Sequence, residues 1–186
     1  MSMKNFLNSL LFTLLISLTG CFNSYTHSLC AGKTQVNLNS YVGEYSMYMN
    51  FLGQEVKEGK LDFKKGSSQG TYSLYDEYGE ISFEDMVSCK VGNQIILESE
   101  METESGNTTS LFSTMLVEVN PNNELILSLS ELDYDLLSQD NVPTVELAPD
   151  ASYGLGEVLV AIENQNLTAK EVLLYFNKPG IIQIKK

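Results

Sequence analysis

Hydrophobic and polar side chains alternate along much of the chain after residue 43. In the first such segment the apolar positions are Tyr45, Met47, Met49 and Phe51. A period of two places successive side chains on opposite faces of a β-strand, so this segment is predicted to be a strand with one buried face. The same reasoning predicts further short strands at residues 60–64, 72–74, 81–83, 87–91, 94–104, 111–119, 125–132, 158–162 and 181–185.

Tight polar turns separate these strands. Clusters of Gly, Asn, Asp, Ser and Pro at residues 76–79, 92–93, 105–107 and 120–123 are typical turn sequences. Short strands at intervals of about 8–14 residues form an antiparallel meander, which protects its edge strands best by closing into a barrel. The predicted fold is therefore all-β, an antiparallel up-and-down barrel or a strongly curved sheet, in a single domain over residues 43–186.

One short helix is predicted near the C-terminus. Thr168 and Glu171 have the spacing of a capping box, in which the hydroxyl accepts from the glutamate backbone N–H and the carboxylate reaches back. A helix over residues 169–176 would then precede the last strand, although the same residues could also form a strand.

The first 20 residues have the pattern of a secretory signal peptide. Lys4 is their only charged residue, and the apolar stretch at residues 6–18 is shorter than the roughly 20 residues that span a bilayer as a helix. Leu18-Thr19-Gly20-Cys21 then resembles the lipobox of bacterial lipoproteins, a Leu and two small residues before the cysteine that becomes the mature N-terminus. The alternative is a soluble secreted protein that is cleaved further along, near Ala31.

The lipoprotein resemblance implies an anchor and a location. In that family a diacylglyceryl group is attached to the cysteine, here Cys21, and the new amine often receives another acyl chain such as palmitate. Two or three chains hold a protein stably on a membrane without crossing it. Phe22 stands where an Asp often retains such proteins at the inner membrane, so the resemblance implies the outer membrane, facing the periplasm or the surface. Residues 21–42 are interpreted as the lipidated cysteine and a flexible tether.

Composition and charge exclude several classes of function. The 11 basic residues are all Lys and stand against 24 Asp and Glu, which gives a net charge of −13. Without arginine and with this charge, a nucleic acid partner is excluded. His27 is the only histidine and lies in the predicted tether, so no multi-histidine metal site, cofactor or Ser-His-Asp triad is predicted. The protein is not expected to be an enzyme, because no nucleophile, base and orienting group can be named.

Cys30 and Cys89 would remain as a pair after Cys21 is lipidated. An oxidising compartment permits a disulfide between them, which would stabilise the fold by about 4 kcal/mol in the chain-entropy estimate. However, Cys89 shares a strand face with Val87 and Val91 whereas Cys30 lies in the predicted tether. A small buried thiol at Cys89 therefore explains the sequence equally well.

Four glutamates alternate along one predicted strand: Glu98, Glu100, Glu102 and Glu104. Their spacing places them on the face opposite the apolar residues of the same strand. One interpretation is a solvated outer face that discourages edge-to-edge pairing. The other is an acidic surface that binds a basic protein, such as a cationic hydrolase or an envelope protein. The spacing fits neither an EF-hand loop nor a glycosidase pair, so no metal site is predicted.

Methionine and aromatic residues are frequent on the apolar face of the first strands. Tyr45, Met47, Met49 and Phe63 would point into the barrel, where flexible thioethers and rings suit an adaptable pocket for an apolar ligand. The same side chains would also serve as ordinary core, since an eight-stranded barrel is either filled by side chains or holds one small ligand.

Two short motifs resemble those of lipocalins. Gly43-Glu44-Tyr45 is similar to the Gly-x-Trp entry of the first lipocalin strand, and Asp133-Tyr134 is similar to part of their Thr-Asp-Tyr motif, with Leu132 in place of Thr. The arginine that packs on the family's tryptophan has no counterpart in a chain without arginine. The resemblance implies an up-and-down barrel that binds a ligand. We therefore predict a lipocalin-like carrier or sensor of a small apolar molecule, with the acidic protein-binding surface as the alternative.

Overall fold

The computed structural model describes residues 24–51, 54–101, 110–129, 132–147, 159–176 and 182–186. Within these ranges the strands are β1 (Ser24–Tyr25), β2 (Gly43–Phe51), β3 (Gln54–Lys65), β4 (Thr71–Asp76), β5 (Ile81–Val91), β6 (Gln94–Met101), β7 (Leu111–Val119), β8 (Leu125–Leu129), β9 (Thr144–Leu147), β10 (Leu159–Ile162) and β11 (Ile182–Lys185). The helices are α1 (Tyr134–Gln139) and α2 (Ala169–Val172), with the 3₁₀ helices η1 (Asn39–Tyr41) and η2 (Leu173–Tyr175).

Eight of these strands close into an antiparallel barrel. Strands β2 to β8 follow one another around the wall, and β11 lies between β8 and β2. The pairing of β6 with β7 completes the ring. The predicted up-and-down barrel is confirmed. Short strands that alternate apolar and polar side chains bury one face each, and closure leaves none of the eight with an unpaired edge.

The two ends of the barrel differ. At the lower end, where β2 begins, η1 covers the interior. The preceding residue, Leu38, is 1% exposed, and its backbone N–H donates to the Tyr72 hydroxyl at 2.7 Å. The Tyr41 hydroxyl donates to the side chain of Asn123, in the turn between β7 and β8, at 3.0 Å. The upper end is the one where β2 ends and β7 begins.

A second layer covers part of the outer wall. It consists of residues 24–37 and of the described segments between β8 and β11, which contain α1, β9, β10, α2 and η2. Strand β1 joins the two parts, because it pairs antiparallel with β7 of the barrel and parallel with β10 of the insertion. Apolar residues of this layer pack on outward-facing Cys89, Ile96 and Leu116 and form an outer core. A separate interior core fills the barrel.

The predicted flexible tether at residues 21–42 is wrong for the described residues 24–42. Tyr25 and Leu29 are 0% and 3% exposed in the outer core, and Leu38 belongs to the interior core. These isolated apolar residues have no periodicity in the sequence because each one packs against a different part of the fold. The folded domain therefore includes residues 24–42 and does not start at residue 43, although His27 itself is exposed.

The capping box predicted at Thr168 is present. Its hydroxyl accepts from the backbone N–H of Glu171 at 3.3 Å, and the Glu171 carboxylate accepts from the backbone N–H of Thr168 at 2.7 Å. Hydrogen bonds from Thr168 lower the pKa of the Glu171 carboxyl. The helix predicted over residues 169–176 is confirmed up to Tyr175, as α2 followed directly by η2, whereas Phe176 is extended and forms a β-bridge with Leu132.

Candidate functional site

The lower half of the barrel interior is filled by side chains. Tyr45 meets Phe63 edge to face with ring centroids 6.2 Å apart, and Phe63 stacks on Tyr72 at 5.2 Å. All three residues are at most 2% exposed, and a side chain without accessible surface borders no void that would admit a water molecule. We predicted that Tyr45 and Phe63 line a ligand site, but the structure places both in filled core.

Tyr45 also connects the barrel wall to η1 at the lower end. Its hydroxyl donates to the backbone carbonyl of Tyr41 at 2.5 Å. Burial, and secondarily the neighbouring Tyr41 phenol, raise the pKa of Tyr45 to about 12. The hydroxyl is protonated at neutral pH with or without this shift, and its hydrogen bond to Tyr41 holds η1 against the barrel.

Half-buried apolar side chains from four strands lie in the upper half. We call them the upper apolar surface: Met47 of β2, Phe83 of β5, Leu129 of β8 and Ile182 of β11. Ile182 pairs with Leu129 on one side and with Met49 on the other. Phe83 approaches from β5, which stands opposite β11 in the ring of eight strands. Partly exposed apolar side chains on the inner faces of opposite walls are the type of lining that small-ligand pockets have.

Sequence reasoning found only part of this surface. It named Met47 and Met49 but missed Phe83, Leu129 and Ile182. A signal for two of these was available, because Leu129 and Ile182 each lie two residues from a buried interior residue of the same strand. What the sequence lacked was any indication that they lie near the upper end of the barrel, where burial is incomplete.

Glu98 lies under the second layer and not on a solvated face. It is 4% exposed. Its carboxylate accepts four hydrogen bonds, from the Tyr25 hydroxyl at 2.8 Å, the Ser28 hydroxyl at 2.5 Å, the Leu29 backbone N–H at 2.6 Å and the Cys30 backbone N–H at 3.3 Å. The predicted outward direction of this side chain is correct. The predicted exposure is wrong, because residues 24–37 cover this part of the wall.

The acidic row is therefore interrupted. Glu100 is exposed, whereas Glu102 and Glu104 lie outside the described residues. Glu98 is already engaged within the fold and is not available to a basic partner. Among the described residues, only Glu100 remains of the surface that was predicted to bind one.

Tyr25 is the main partner of Glu98 in the second layer. Burial, followed by the charge of Glu98, raises the pKa of Tyr25 well above its ordinary value, so the phenol stays protonated and donates. The same ring stacks on Phe112 of β7 with centroids 6.1 Å apart. One side chain thus joins β1 to the barrel wall through both a polar and an apolar contact.

Cys30 and Cys89 form a disulfide, with their Cα atoms 5.6 Å apart. Cys89 is 0% exposed on the outward face of β5. Of the two alternatives for this pair the bridge is correct, and Cys89 is buried as one half of the disulfide and not as a free thiol. The bridge fixes the N-terminal segment to β5.

A shallow polar cavity of about 230 Å³ lies in the second layer, outside the barrel. Its lining includes His27, Lys33 and Asn164. The Asn164 amide accepts from the His27 backbone N–H and donates to the His27 carbonyl, each at 2.8 Å. Because this buried amide is satisfied within the fold, it is not directed at a ligand.

Within the described part of the chain, no group of three or more His, Cys, Asp or Glu side chains is arranged to hold a metal ion. In the same ranges, no helix is both long and apolar enough to cross a bilayer. No protein-family model matches the chain, and no curated protein or solved structure is significantly similar to it.

Proposed function

We propose that the protein is a lipoprotein of the bacterial envelope, anchored through Cys21, whose barrel binds a small apolar ligand against the upper apolar surface. The contrast between the two ends of the barrel supports the binding proposal. The lower half is filled and covered by η1, whereas the upper half presents four half-buried apolar side chains. Apolar surface left in contact with water is unfavourable, and covering it with a ligand recovers that free energy.

The proposed role is that of a carrier or sensor and not of an enzyme. The upper apolar surface supplies aliphatic, thioether and aromatic contacts, which are non-directional. It would therefore select a ligand by size and apolar character. Met47 makes the surface adaptable, because its unbranched side chain has three rotatable bonds.

The proposed anchor would hold the domain close to the membrane. Ser24 is already part of the sheet and is 0% exposed. Only three peptide links separate it from Cys21, and three residues span at most about 10 Å. The lipidated protein would thus rest near the bilayer surface, where apolar molecules are available, without the long tether that the sequence suggested.

Ligand binding is tested with the processed chain carrying Cys21→Ser, which bears no acyl chain. N-phenyl-1-naphthylamine, an apolar dye that fluoresces in apolar surroundings, is expected to bind it saturably. Phe83→Gln and Met47→Gln should each weaken this binding roughly five- to tenfold, because each removes apolar contact worth about 1 to 1.5 kcal/mol. Fluorescence titration measures the dissociation constants.

Leu174→Gln is the control for these variants. Leu174 is 65% exposed and lies in η2, outside the barrel. The Leu174→Gln substitution also replaces an apolar side chain by a polar one, but away from the proposed site, so it should leave dye affinity unchanged. Absence of saturable binding, or an equal loss of affinity in the Leu174→Gln variant, would contradict the proposed site.

The anchor is tested in a bacterial host with the full chain. We expect the wild-type protein to incorporate labelled palmitate and to sediment with the membrane fraction. Cys21→Ser removes the sulfur that carries the diacylglyceryl group, so this variant should be unlabelled. Cys30→Ser is the matched control and should remain labelled. A wild-type protein without label would overturn the lipoprotein proposal and leave the binding proposal intact.

A further inference from the structure

The cavity in the second layer is formed by two segments that lie far apart in the sequence. Its volume is about 230 Å³, and its lining comes from residues 27–33 and 164–169. The disulfide at Cys30 holds the first segment to β5. The Asn164 side chain holds the two segments together, because its amide oxygen and nitrogen both bond to the backbone of His27. The shape of the cavity is therefore fixed by covalent and hydrogen-bonded contacts.

The imidazole ring of His27 is oriented by the residue before it. Nδ1 lies 2.8 Å from the hydroxyl oxygen of Thr26, which donates to the Asn164 side-chain oxygen at 3.3 Å. Among the described residues, Nε2 has no hydrogen-bond partner. A protonated imidazole donates from both nitrogens. Since Thr26 occupies Nδ1, the N–H group at Nε2 of this exposed, cavity-lining residue is available to a ligand.

Two further donors line the same cavity. Lys33 and Gln165 are exposed, and neither side chain has a hydrogen-bond or ion-pair partner within the described ranges. The ion pairs found there belong to Lys64 and Lys185. No residue of the lining is Asp or Glu. A cavity that offers the N–H groups of a lysine, a histidine and a glutamine, and no carboxylate, is suited to an anion.

The charge of the N-terminal segment is opposite to that of the rest of the protein. All 24 acidic residues follow residue 43, and the net charge of the chain is −13. Between Cys21 and Gly43, only the side chains of Lys33 and His27 can be positively charged, and no residue is acidic. A charge asymmetry of this kind indicates contact with an anionic surface such as a membrane.

The proposed anchor brings the cavity close to the phosphate groups of the bilayer. His27 follows Cys21 by only six residues, which span at most about 20 Å. The headgroup layer lies directly outside the hydrocarbon core and is about 5 to 7 Å deep. With the acyl chains of Cys21 in that core, lipid headgroups are anions within reach of the cavity.

We infer that the cavity binds the phosphate group of a membrane phospholipid, with Lys33 and His27 as charged donors and Gln165 as a neutral one. The inference rests on the proposed anchor at Cys21 and gives the domain a second contact with the same membrane. Lysine binds phosphate as a point charge, without the bidentate geometry that an arginine would impose. Half-buried Leu167 belongs to the same lining and would contact the glycerol esters of the lipid.

The test uses the processed chain with Cys21→Ser and follows the NMR signals of the His27 ring protons at pH 6, within the range where histidine gains its proton. These signals are unique, because the chain contains one histidine. Titration with dihexanoylphosphatidylglycerol below its critical micelle concentration should move them saturably. Inorganic phosphate should bind at least threefold more weakly, because it lacks the apolar part that contacts Leu167. Lys33→Gln should weaken lipid binding about fivefold, the contribution of one lysine near anionic lipid.

Lys60→Gln is the matched control, because Lys60 is exposed in β3 and does not line the cavity. It should leave lipid binding unchanged. Unmoved His27 signals, or equal lipid affinity in the Lys33→Gln variant and its parent, would overturn the inference. Inorganic phosphate that binds as tightly as the lipid would identify free phosphate as the ligand and would also overturn it. Palmitate labelling and dye binding do not depend on Lys33, so the proposed function stands or falls separately from this titration.

Discussion

The Glu98→Ala variant is expected to lose at least about 3 kcal/mol of unfolding free energy. The carboxylate accepts four hydrogen bonds in a site where Glu98 is 4% exposed. Hydrogen bonds to a charged group contribute about 1.5–3 kcal/mol each, and buried donors left without an acceptor add a further penalty. Two of the donors are backbone N–H groups of Leu29 and Cys30, which cannot rotate to find another partner. Urea denaturation followed by circular dichroism measures the loss.

Two matched variants separate the hydrogen bonds from the charge. Glu98→Gln keeps one acceptor oxygen and the shape of the side chain, so we expect a smaller loss of about 1–2 kcal/mol. Glu100→Gln changes an exposed glutamate two residues along the same strand and should stay within about 0.5 kcal/mol of wild type. An equal, small effect at positions 98 and 100 would mean that Glu98 is solvated, as the sequence alone suggested.

Loss of the disulfide is expected to lower the unfolding free energy by about 4 kcal/mol. Cys30 and Cys89 are 59 residues apart in the sequence, and a bridge that closes a loop of this length removes that much chain entropy from the unfolded state. The double variant Cys30→Ala with Cys89→Ala avoids placing new polar groups in the outer core. Its urea midpoint should fall to that of the wild type treated with dithiothreitol. Unchanged midpoints in both experiments would refute a stabilising bridge.

The losses of unfolding free energy caused by Glu98→Ala and by removal of the disulfide are expected to be less than additive when the substitutions are combined. The bridge and the Glu98 carboxylate hold the same segment, since Cys30 contributes both its sulfur and its backbone N–H. Once either contact releases residues 24–37, the other has less ordered structure to support. The test is a triple variant that combines Glu98→Ala with both cysteine substitutions. If its loss of unfolding free energy equals the sum of the two separate losses, the disulfide and the Glu98 hydrogen bonds stabilise the segment independently. A smaller loss identifies the segment as one cooperative unit.

The strands and turns of the barrel were predictable because their signals are local. The alternation at Tyr45 to Phe51 and the Thr168 capping box each depend on neighbours within a few residues, and both correspond to the observed elements. Sequence reasoning failed at β1, which contains only two residues. Its pairing partners lie in β7 and β10, far along the chain, so nothing near Ser24 could indicate a strand.

For the candidate site, the sequence predicted which residues lie on the interior face but not which of them remain accessible. Alternation correctly placed Tyr45, Met47 and Phe63 on the interior face, and all three belong to or pack on the interior core. Which interior residues remain accessible depends on where each lies along the barrel axis and on what covers each end. Leu38 and η1 close the lower end, and their position follows from contacts with Tyr72 and Tyr45 that no local pattern encodes.

The sequence by itself determined that this protein is an antiparallel β-barrel, because strand periodicity and turn chemistry are properties of neighbouring residues. Only the tertiary structure decided what covers the outer wall. Glu98, Cys89 and Ile96 all point outward, and a residue on an outward face is exposed or buried according to whether a distant segment packs over it. Here residues 24–37 and the insertion before β11 do so, which turns an expected acidic surface into a buried hydrogen-bonding centre and an expected tether into part of the fold.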